Sequence, residues 1–410
     1  MTTLASPPPD DAHRPFCLLE GGQAFFPALI KAFDNARRWI QLETYIFDVH
    51  GAGADVAEAL ARAAARGVTV QVLVDGIGTA ALPGKWQSRF DEAGVQWCVY
   101  SPLGSGLGLL VPDRWRRLHH KLCVVDQHTV FCGGINVLDD FYDPNYGDLQ
   151  APRFDFAVAV TGPMAAVAAD AVALLWWRVQ AGYSARQRHL TTAWEEFRAA
   201  GYGGRTDAKA IASAAPPRAG GKAALVLRDN LRNRSSIERA YRKAIGRAHH
   251  EIVIANAYFV PGGKLRRALI SAAPRGVRVT LLLQGKYEYF MQYHAARPVY
   301  GALLAAGVEI HEYEASFLHA KVAVVDGHWA TVGSSNLDPF SLLLAREANV
   351  VVEDRAFAED LRQRLHAAVA SQGRCIDPAG YGRRPLRQRM LSWVAYGLMR
   401  LALLVTGQRY

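Results

Sequence analysis

The chain is poor in residues that would tie it to a metal, an oxidising compartment or a bilayer interior. Five of its 410 residues are cysteine, and none of them forms a C-x-x-C pair. Cys123 and Cys132 lie in apolar, strand-like text, where a thiol serves as a small hydrophobe. The set reads as reduced cysteines of a cytosolic protein, which excludes a disulfide framework. No His, Asp, Glu or Cys cluster has metal-ligand spacing, so neither a metal nor another cofactor is expected. Residues 1–15 carry prolines and aspartates but no apolar run. No secretory signal peptide is read there, and the body of the chain is expected to be water-soluble. Charge is not abundant either: 20% of residues are charged and 50% hydrophobic, a globular balance that argues against wholesale disorder. Acidic residues are the scarcer sign, 37 against 47 basic ones, for a net charge of +10. That surplus favours an anionic partner, whether nucleic acid, a membrane surface or a phosphorylated substrate, without choosing among them. The length suits two domains, each with a core of its own.

What the chain does have is one cassette written twice. The first copy runs His119-His120-Lys121-Leu122-Cys123-Val124-Val125-Asp126 and then Gly133-Gly134-Ile135-Asn136. The second runs His319-Ala320-Lys321-Val322-Ala323-Val324-Val325-Asp326 and then Gly333-Ser334-Ser335-Asn336. Both read H-x-K-x4-D-x6-G-[GS]-x-N, with every offset the same. Each histidine and the lysine two residues on share one face of a strand. Asp126 and Asp326 fall on the other side and are assigned structural support near the turn that follows. His120 points away from the cassette face, as a core or supporting histidine.

The duplication extends beyond the cassettes. A helical stretch at 28–38 leads to a strand-like run at 39–47, and 236–248 leads to 252–259. Further helices at 55–65 and 264–273 precede strand-like runs at 66–74 and 275–283. Apolar residues at three- and four-residue intervals mark the helices, and short β-branched runs mark the strands. Strand alternating with helix indicates an α/β layered domain, built twice. The Ala-, Gly- and Pro-rich stretch 201–222 is taken as the linker. The expected order is a tail at 1–19, a first domain at 20–200, that linker, a second domain at 223–375 and a C-terminal segment at 376–410.

The paired cassettes are identified as those of the phospholipase D superfamily. Thr331-Val332-Gly333-Ser334-Ser335-Asn336-Leu337-Asp338-Pro339 and Arg346-Glu347-Ala348-Asn349-Val350 narrow the resemblance to bacterial cardiolipin synthases. It covers roughly residues 20–370, and the type resembled is the one without N-terminal membrane spans. The resemblance implies two α-β-α sandwich domains related by a pseudo-two-fold axis, with one active site between them. It implies that His119 and His319 flank one phosphorus, with Lys121, Lys321, Asn136 and Asn336 on its non-bridging oxygens. Gly133, Gly333 and Ser334 would support that phosphate site. Asp155, in Arg153-Phe154-Asp155, and Glu347 would hydrogen-bond the far ring nitrogens of the histidines, the two segments matching with an indel of several residues. The family favours His119 as the nucleophile of a phosphohistidine intermediate and His319 as acid and then base. The symmetry of the sequence leaves that choice open.

The same chemistry serves lipid transferases and nucleases, so the substrate rests on other text. Apolar and aromatic residues crowd the cassette-proximal loops: 107–111, Trp115, Phe141, Tyr142 and Tyr146, then Phe290, Met291 and Tyr293. At the C-terminus, Arg383, Arg384, Arg387 and Arg389 precede an apolar run at 390–406 broken only by Ser392 and Arg400. A basic cluster before a short apolar helix reads as an anchor on an anionic membrane surface, the other reading being a helix docked on the protein. The expected function is therefore phosphatidyl transfer from phosphatidylglycerol to a second phospholipid. The expected place is the cytoplasmic face of the bacterial inner membrane, bound peripherally. Nucleic acid is the weaker candidate because no nucleic-acid-binding motif is visible. Hydrolysis of a phospholipid or of nucleic acid stands as the alternative activity.

Overall fold

The computed structural model describes residues 15–79, 81–102, 115–186, 222–229, 233–287, 290–338 and 345–405. The first sheet holds β1 (Phe16–Glu20), β2 (Trp39–Thr44), β3 (Thr69–Asp75), β4 (Gln96–Tyr100), β5 (Lys121–Val125), β6 (Thr129–Gly133) and β7 (Phe156–Thr161). They lie in the order β1-β7-β6-β5-β2-β3-β4. The second sheet holds β8 (Lys222–Arg228), β9 (Glu251–Asn256), β10 (Arg278–Gln284), β11 (Glu309–Tyr313), β12 (Lys321–Val325), β13 (Trp329–Gly333) and β14 (Ala345–Glu353). Their order, β8-β14-β13-β12-β9-β10-β11, repeats the first strand for strand, with β15 (Gly373–Cys375) added at the end. The duplication read from the cassettes is thus a duplication of the whole sheet.

Both sheets are covered on both faces, which is why their central strands are apolar at successive positions rather than at alternate ones. Helices α1 (Gly21–Asn35), α2 (Ala52–Ala65) and α3 (Gly84–Ala93) pack on the outer face of the first sheet, where Phe33 and Leu60 meet Ile40 and Val70. The inner face meets α4 (Met164–Arg186). In the second half α5 (Ser236–Arg247), α6 (Gly263–Ala272) and α7 (Phe290–Ala305) form the outer layer, and α8 (Arg355–Gln372) the inner one. One core cluster crosses between the halves. It joins Leu122, Val124, Cys132 and Phe156 to Val322, Val324, Val332 and Val350. Each such aliphatic side chain contributes about 1.5–3 kcal/mol when fully buried, so the interface that positions the cassettes is as strongly held as a domain interior.

Several boundaries differ from those read in the sequence. The expected tail through residue 19 is corrected at its end, since Phe16–Glu20 form an edge strand antiparallel to β7, with Phe16 opposite Val160. Helix α1 begins well before residue 28 and carries Pro27 inside it. A proline there ordinarily ends a helix; here the burial of Phe25, Phe26, Leu29 and Phe33 on one face outweighs that cost. The expected linker lies outside the described residues except for Lys222, which opens β8, and so does the apolar loop 107–111. After β15 the chain forms α9 (Pro378–Gly382) and α10 (Leu386–Val405), the latter packed against α7.

Candidate active site

Strands β5 and β12 begin at the cassette lysines, so each histidine sits just ahead of its strand, at the seam between the halves. What holds it there comes from the other half. The His119 amide donates to the carbonyl of Arg346 at 3.0 Å, and the His319 amide to that of Phe154 at 2.9 Å. Leu118 pairs in parallel with Arg346, and Leu318 with Phe154. One residue further along each of those strands stands a carboxylate. Glu347 receives His119 Nδ1 at 2.9 and 3.1 Å, and Asp155 receives His319 Nδ1 at 2.7 Å. The two histidine–carboxylate pairs are therefore crossed between the halves. With Nδ1 engaged, Nε2 is the ring nitrogen left for chemistry.

The register bears out the match between the two carboxylate segments. Gly133 faces Ala157 and Gly333 faces Asn349, which aligns Asp155 with Glu347 and Phe154 with Arg346; the indel lies in the connection before them, 22 residues from Gly133 to Asp155 against 14 from Gly333 to Glu347. The two departures from perfect duplication prove to be linked. Glu347 accepts the Ser334 hydroxyl, whereas a Cβ at Gly134 would lie 2.2 Å from Asp155 Oδ1. The longer carboxylate has a hydroxyl to meet it, and the shorter one needs the space that only glycine leaves. Gly133 and Gly333 answer to the neighbouring strand: a Cβ there would stand 2.4 Å from the Phe156 carbonyl oxygen and 2.2 Å from Asn349 Cγ.

Lys121 Nζ donates to its own cassette's histidine carbonyl at 2.7 Å, and Lys321 Nζ makes the equivalent bond to His319. Asn136 Oδ1 accepts from the Ile46 amide at 3.1 Å, and Asn336 is buried. Asp126 and Asp326 do not reach the cleft or the turns that follow them. The Asp126 carboxylate accepts the amides of Arg37, Arg38 and Trp39, where α1 gives way to β2. Asp326 does the same for His249, His250 and Glu251. Both sit at positive φ, 52° and 50°, a left-handed turn conformation that aspartate tolerates better than most residues.

A family model for the cardiolipin synthase, phospholipase D-like domain matches residues 29–147 and again 241–368, one match for each cassette. The chain belongs to this cardiolipin synthase family. It is 36% identical over 392 residues to cardiolipin synthase B of Shigella flexneri, covering 93% of this chain and 87% of that protein. With a probable cardiolipin synthase of Bacillus subtilis it shares 27% identity, over 91% of this chain and 69% of the other. Among solved structures, phosphatidylserine synthase of Haemophilus influenzae superposes with a TM-score of 0.66 at 13% identity, covering 95% of this chain and 93% of that one, which shows a common fold. As a member of the cardiolipin synthase family the chain is a phosphatidyltransferase of the phospholipase D superfamily.

The electrostatics of this family site are dominated by burial. Burial and the charge of Lys321 bring Lys121 down to about 7. Burial pushes Asp155 up to about 7 against the pull of Lys321. Burial lowers His119, with the Glu347 charge opposing, while burial and the ammonium groups of Lys321 and Lys121 press His319 well below its usual value. The site thus carries its charges at a cost.

Three contributors escaped the sequence reading. Tyr45, at the end of β2, lies with its ring centroid 5.0 Å from that of His119 and beneath Lys121 Nζ at 5.4 Å. Asp75 Oδ2 accepts the Leu118 amide at 2.8 Å, and Gln284 Oε1 the Leu318 amide at 3.1 Å. Asp75 and Gln284 close equivalent strands and brace the residue before each histidine. Their signal was present, a polar residue ending each apolar strand run, but nothing marked it as more than a strand end. His120 is buried, with Nε2 3.1 Å from Glu43 Oε2. Exposed Ile77, Trp115, Phe141, Tyr146 and Tyr287 lie on the surrounding loops, and Tyr146 meets Phe317 across the halves at 5.3 Å.

Proposed function

We propose that the protein makes cardiolipin by transferring a phosphatidyl group from phosphatidylglycerol to a headgroup hydroxyl of a second phosphatidylglycerol; phosphatidylethanolamine, which offers an amine and no free hydroxyl, is not an acceptor for this product. The observation that carries this reading is the crossed pair of oriented histidines at one seam, in a chain of the cardiolipin synthase family. His119 Nε2 attacks phosphorus, and the bond to the glycerol oxygen breaks. His319, protonated once the substrate's phosphodiester anion offsets the Lys321 and Lys121 charges that press it down, gives its proton to that oxygen as it leaves. His319, now neutral, takes the proton from the acceptor hydroxyl, whose oxygen attacks the phosphohistidine and frees His119. Lys121, Lys321 and the amides of Asn136 and Asn336 stabilise the charge on the non-bridging oxygens. Asp155 and Glu347 hold the imidazoles in orientation and stabilise each as it becomes cationic. The Asp126 and Asp326 carboxylates act indirectly, by fixing the entry to the strands beside the cassettes.

The protein would work at the surface of the bacterial inner membrane, on its cytoplasmic side. Among the described residues no helix is long and apolar enough to cross a membrane. Helix α10 buries Ser392, Ala395 and Met399, while Met390, Trp393, Val394, Leu398 and Leu401 are exposed. A docked helix with a second apolar face, preceded by arginines, suits an anionic bilayer surface.

Incubation with phosphatidylglycerol liposomes, with products resolved by mass spectrometry, tests the activity. Cardiolipin from the wild type and none from His119→Ala is the expected result. Phosphatidic acid as the sole product would replace transfer with hydrolysis.

A further inference from the structure

A recess lined by arginines lies between α7, α9 and α10, outside the histidine site. It is a cavity of about 170 Å³, more than ten times the roughly 15 Å³ that admits one water, and Arg297, Tyr381, Arg384, Arg389, Ser392 and Trp393 line it. Arg297 is ion-paired with Glu312. Arg384 donates through Nε to the Tyr381 carbonyl at 3.0 Å and lies 3.3 Å from the centroid of that ring. Neither Arg384 nor Arg389 forms an ion pair with a described carboxylate. Burial, with the neighbouring charges of Arg297 and Arg389, holds Arg384 below the usual arginine range. Ser392 is 4% exposed and lines the same cavity.

We propose that this cavity binds the phosphate of an anionic phospholipid headgroup, at a site separate from the paired histidines. Two guanidinium groups and a hydroxyl donate to an anion, and Tyr381 and Trp393 provide flat apolar walls. The lipid source follows from position. Trp393, 59% exposed, belongs both to the cavity lining and to the outward apolar stripe of α10, so acyl chains leaving the headgroup run along that stripe. Arg297 also lines a smaller cavity with Tyr258 and Gln284, and Gln284 braces Leu318 beside His319. The headgroup site thus backs onto the second-half wall of the active site. This inference rests on the membrane-surface reading of α10.

The test compares two double variants, both in a His119→Ala background so that turnover does not consume the lipid. Arg384→Gln/Arg389→Gln strips the cavity, and Arg383→Gln/Arg387→Gln removes the same charge outside it. Diffuse attraction costs both about fivefold per arginine in affinity for phosphatidylcholine vesicles containing phosphatidylglycerol. The cavity pair is expected to lose at least about tenfold more than the control pair. Equal losses would overturn the site and leave the membrane reading standing. A parent protein that binds these vesicles no better than pure phosphatidylcholine would overturn both. Inorganic phosphate at millimolar concentration is expected not to displace the vesicles; displacement, lost in the cavity pair alone, would reassign the cavity to free phosphate.

Discussion

At the scale of single residues, the sequence named the carboxylates but not their owners. Asp155 and Glu347 were legible as partners of the histidines through the family resemblance. That each serves the other half's histidine was not, because a chain does not display which halves will pack together. The consequence is testable. Glu347→Gln removes the anion behind His119 and is expected to lower kcat by about 10²–10⁴-fold with little change in thermal midpoint. Asp155→Asn should do the same through His319. The lysines carry a pH signature. Lys121 titrates near 7 in the fold against an ordinary 10.5, so the unfolded chain holds that proton more tightly. The cost of the buried charge is full below pH 7 and fades as pH rises towards 10.5. Lys121→Met is therefore expected to raise the unfolding temperature at pH 7, to lose that gain by about pH 10, and to be inactive throughout. Asp155 has the opposite sense. Its raised value means that stability falls as pH climbs from about 4 to 7, so the site is least comfortable near the pH at which it works.

At the scale of elements, the repeat was the most legible feature, since short β-branched runs and three- to four-residue periodicities recur in the same order in both halves. What escaped was set by tertiary contact. Strand β1 is only five residues long, with Cys17 exposed and only Leu18 and Leu19 buried, and pairing with β7 makes it a strand. The cassette aspartates were assigned to support near the turn that follows them, but the partners of Asp126 lie about ninety residues earlier, a distance that periodicity cannot bridge. Burial alone would raise the Asp126 carboxyl, yet the amides of Arg37, Trp39 and Arg38 outweigh it and hold the group below its usual range. Asp126→Ala is expected to cost about 1–2 kcal/mol in denaturant titrations. The wild-type advantage should shrink as pH falls through the lowered carboxyl range, and the folded variant should keep its kcat. Gly134→Ser tests the linked asymmetry between halves. The residue tolerated at Ser334 should be inactivating at Gly134, because its Cβ would meet the Asp155 carboxylate.

At the scale of the whole molecule, the α/β class and the twofold build were legible from the sequence, whereas the continuity of the core across the halves was not. The apolar residues of β5 and β12 read equally well as two separate cores. Their joining into one cluster makes the seam rigid and keeps the crossed pairs in register. The C-terminal segment showed the limit of composition. Helix α10 docks on α7, one of the two readings offered by the sequence, and also leaves an apolar stripe outside. Replacing Trp393, Val394, Leu398 and Leu401 with serine or glutamine should abolish binding to anionic vesicles without lowering the unfolding temperature. Deleting the helix would instead uncover α7 and destabilise the fold.

The central claim is a single site in which His119 carries the phosphatidyl group and His319 moves the proton. It is tested most directly with a phosphatidyl donor whose leaving group is p-nitrophenol, which departs without acid assistance. His319→Ala, quenched in alkali after mixing with this lipid and digested, should carry a phosphatidyl adduct on the His119 peptide, formed in a burst matching the released nitrophenol. An adduct on any other residue, or one on His319 in the reciprocal His119→Ala protein, would contradict the assignment.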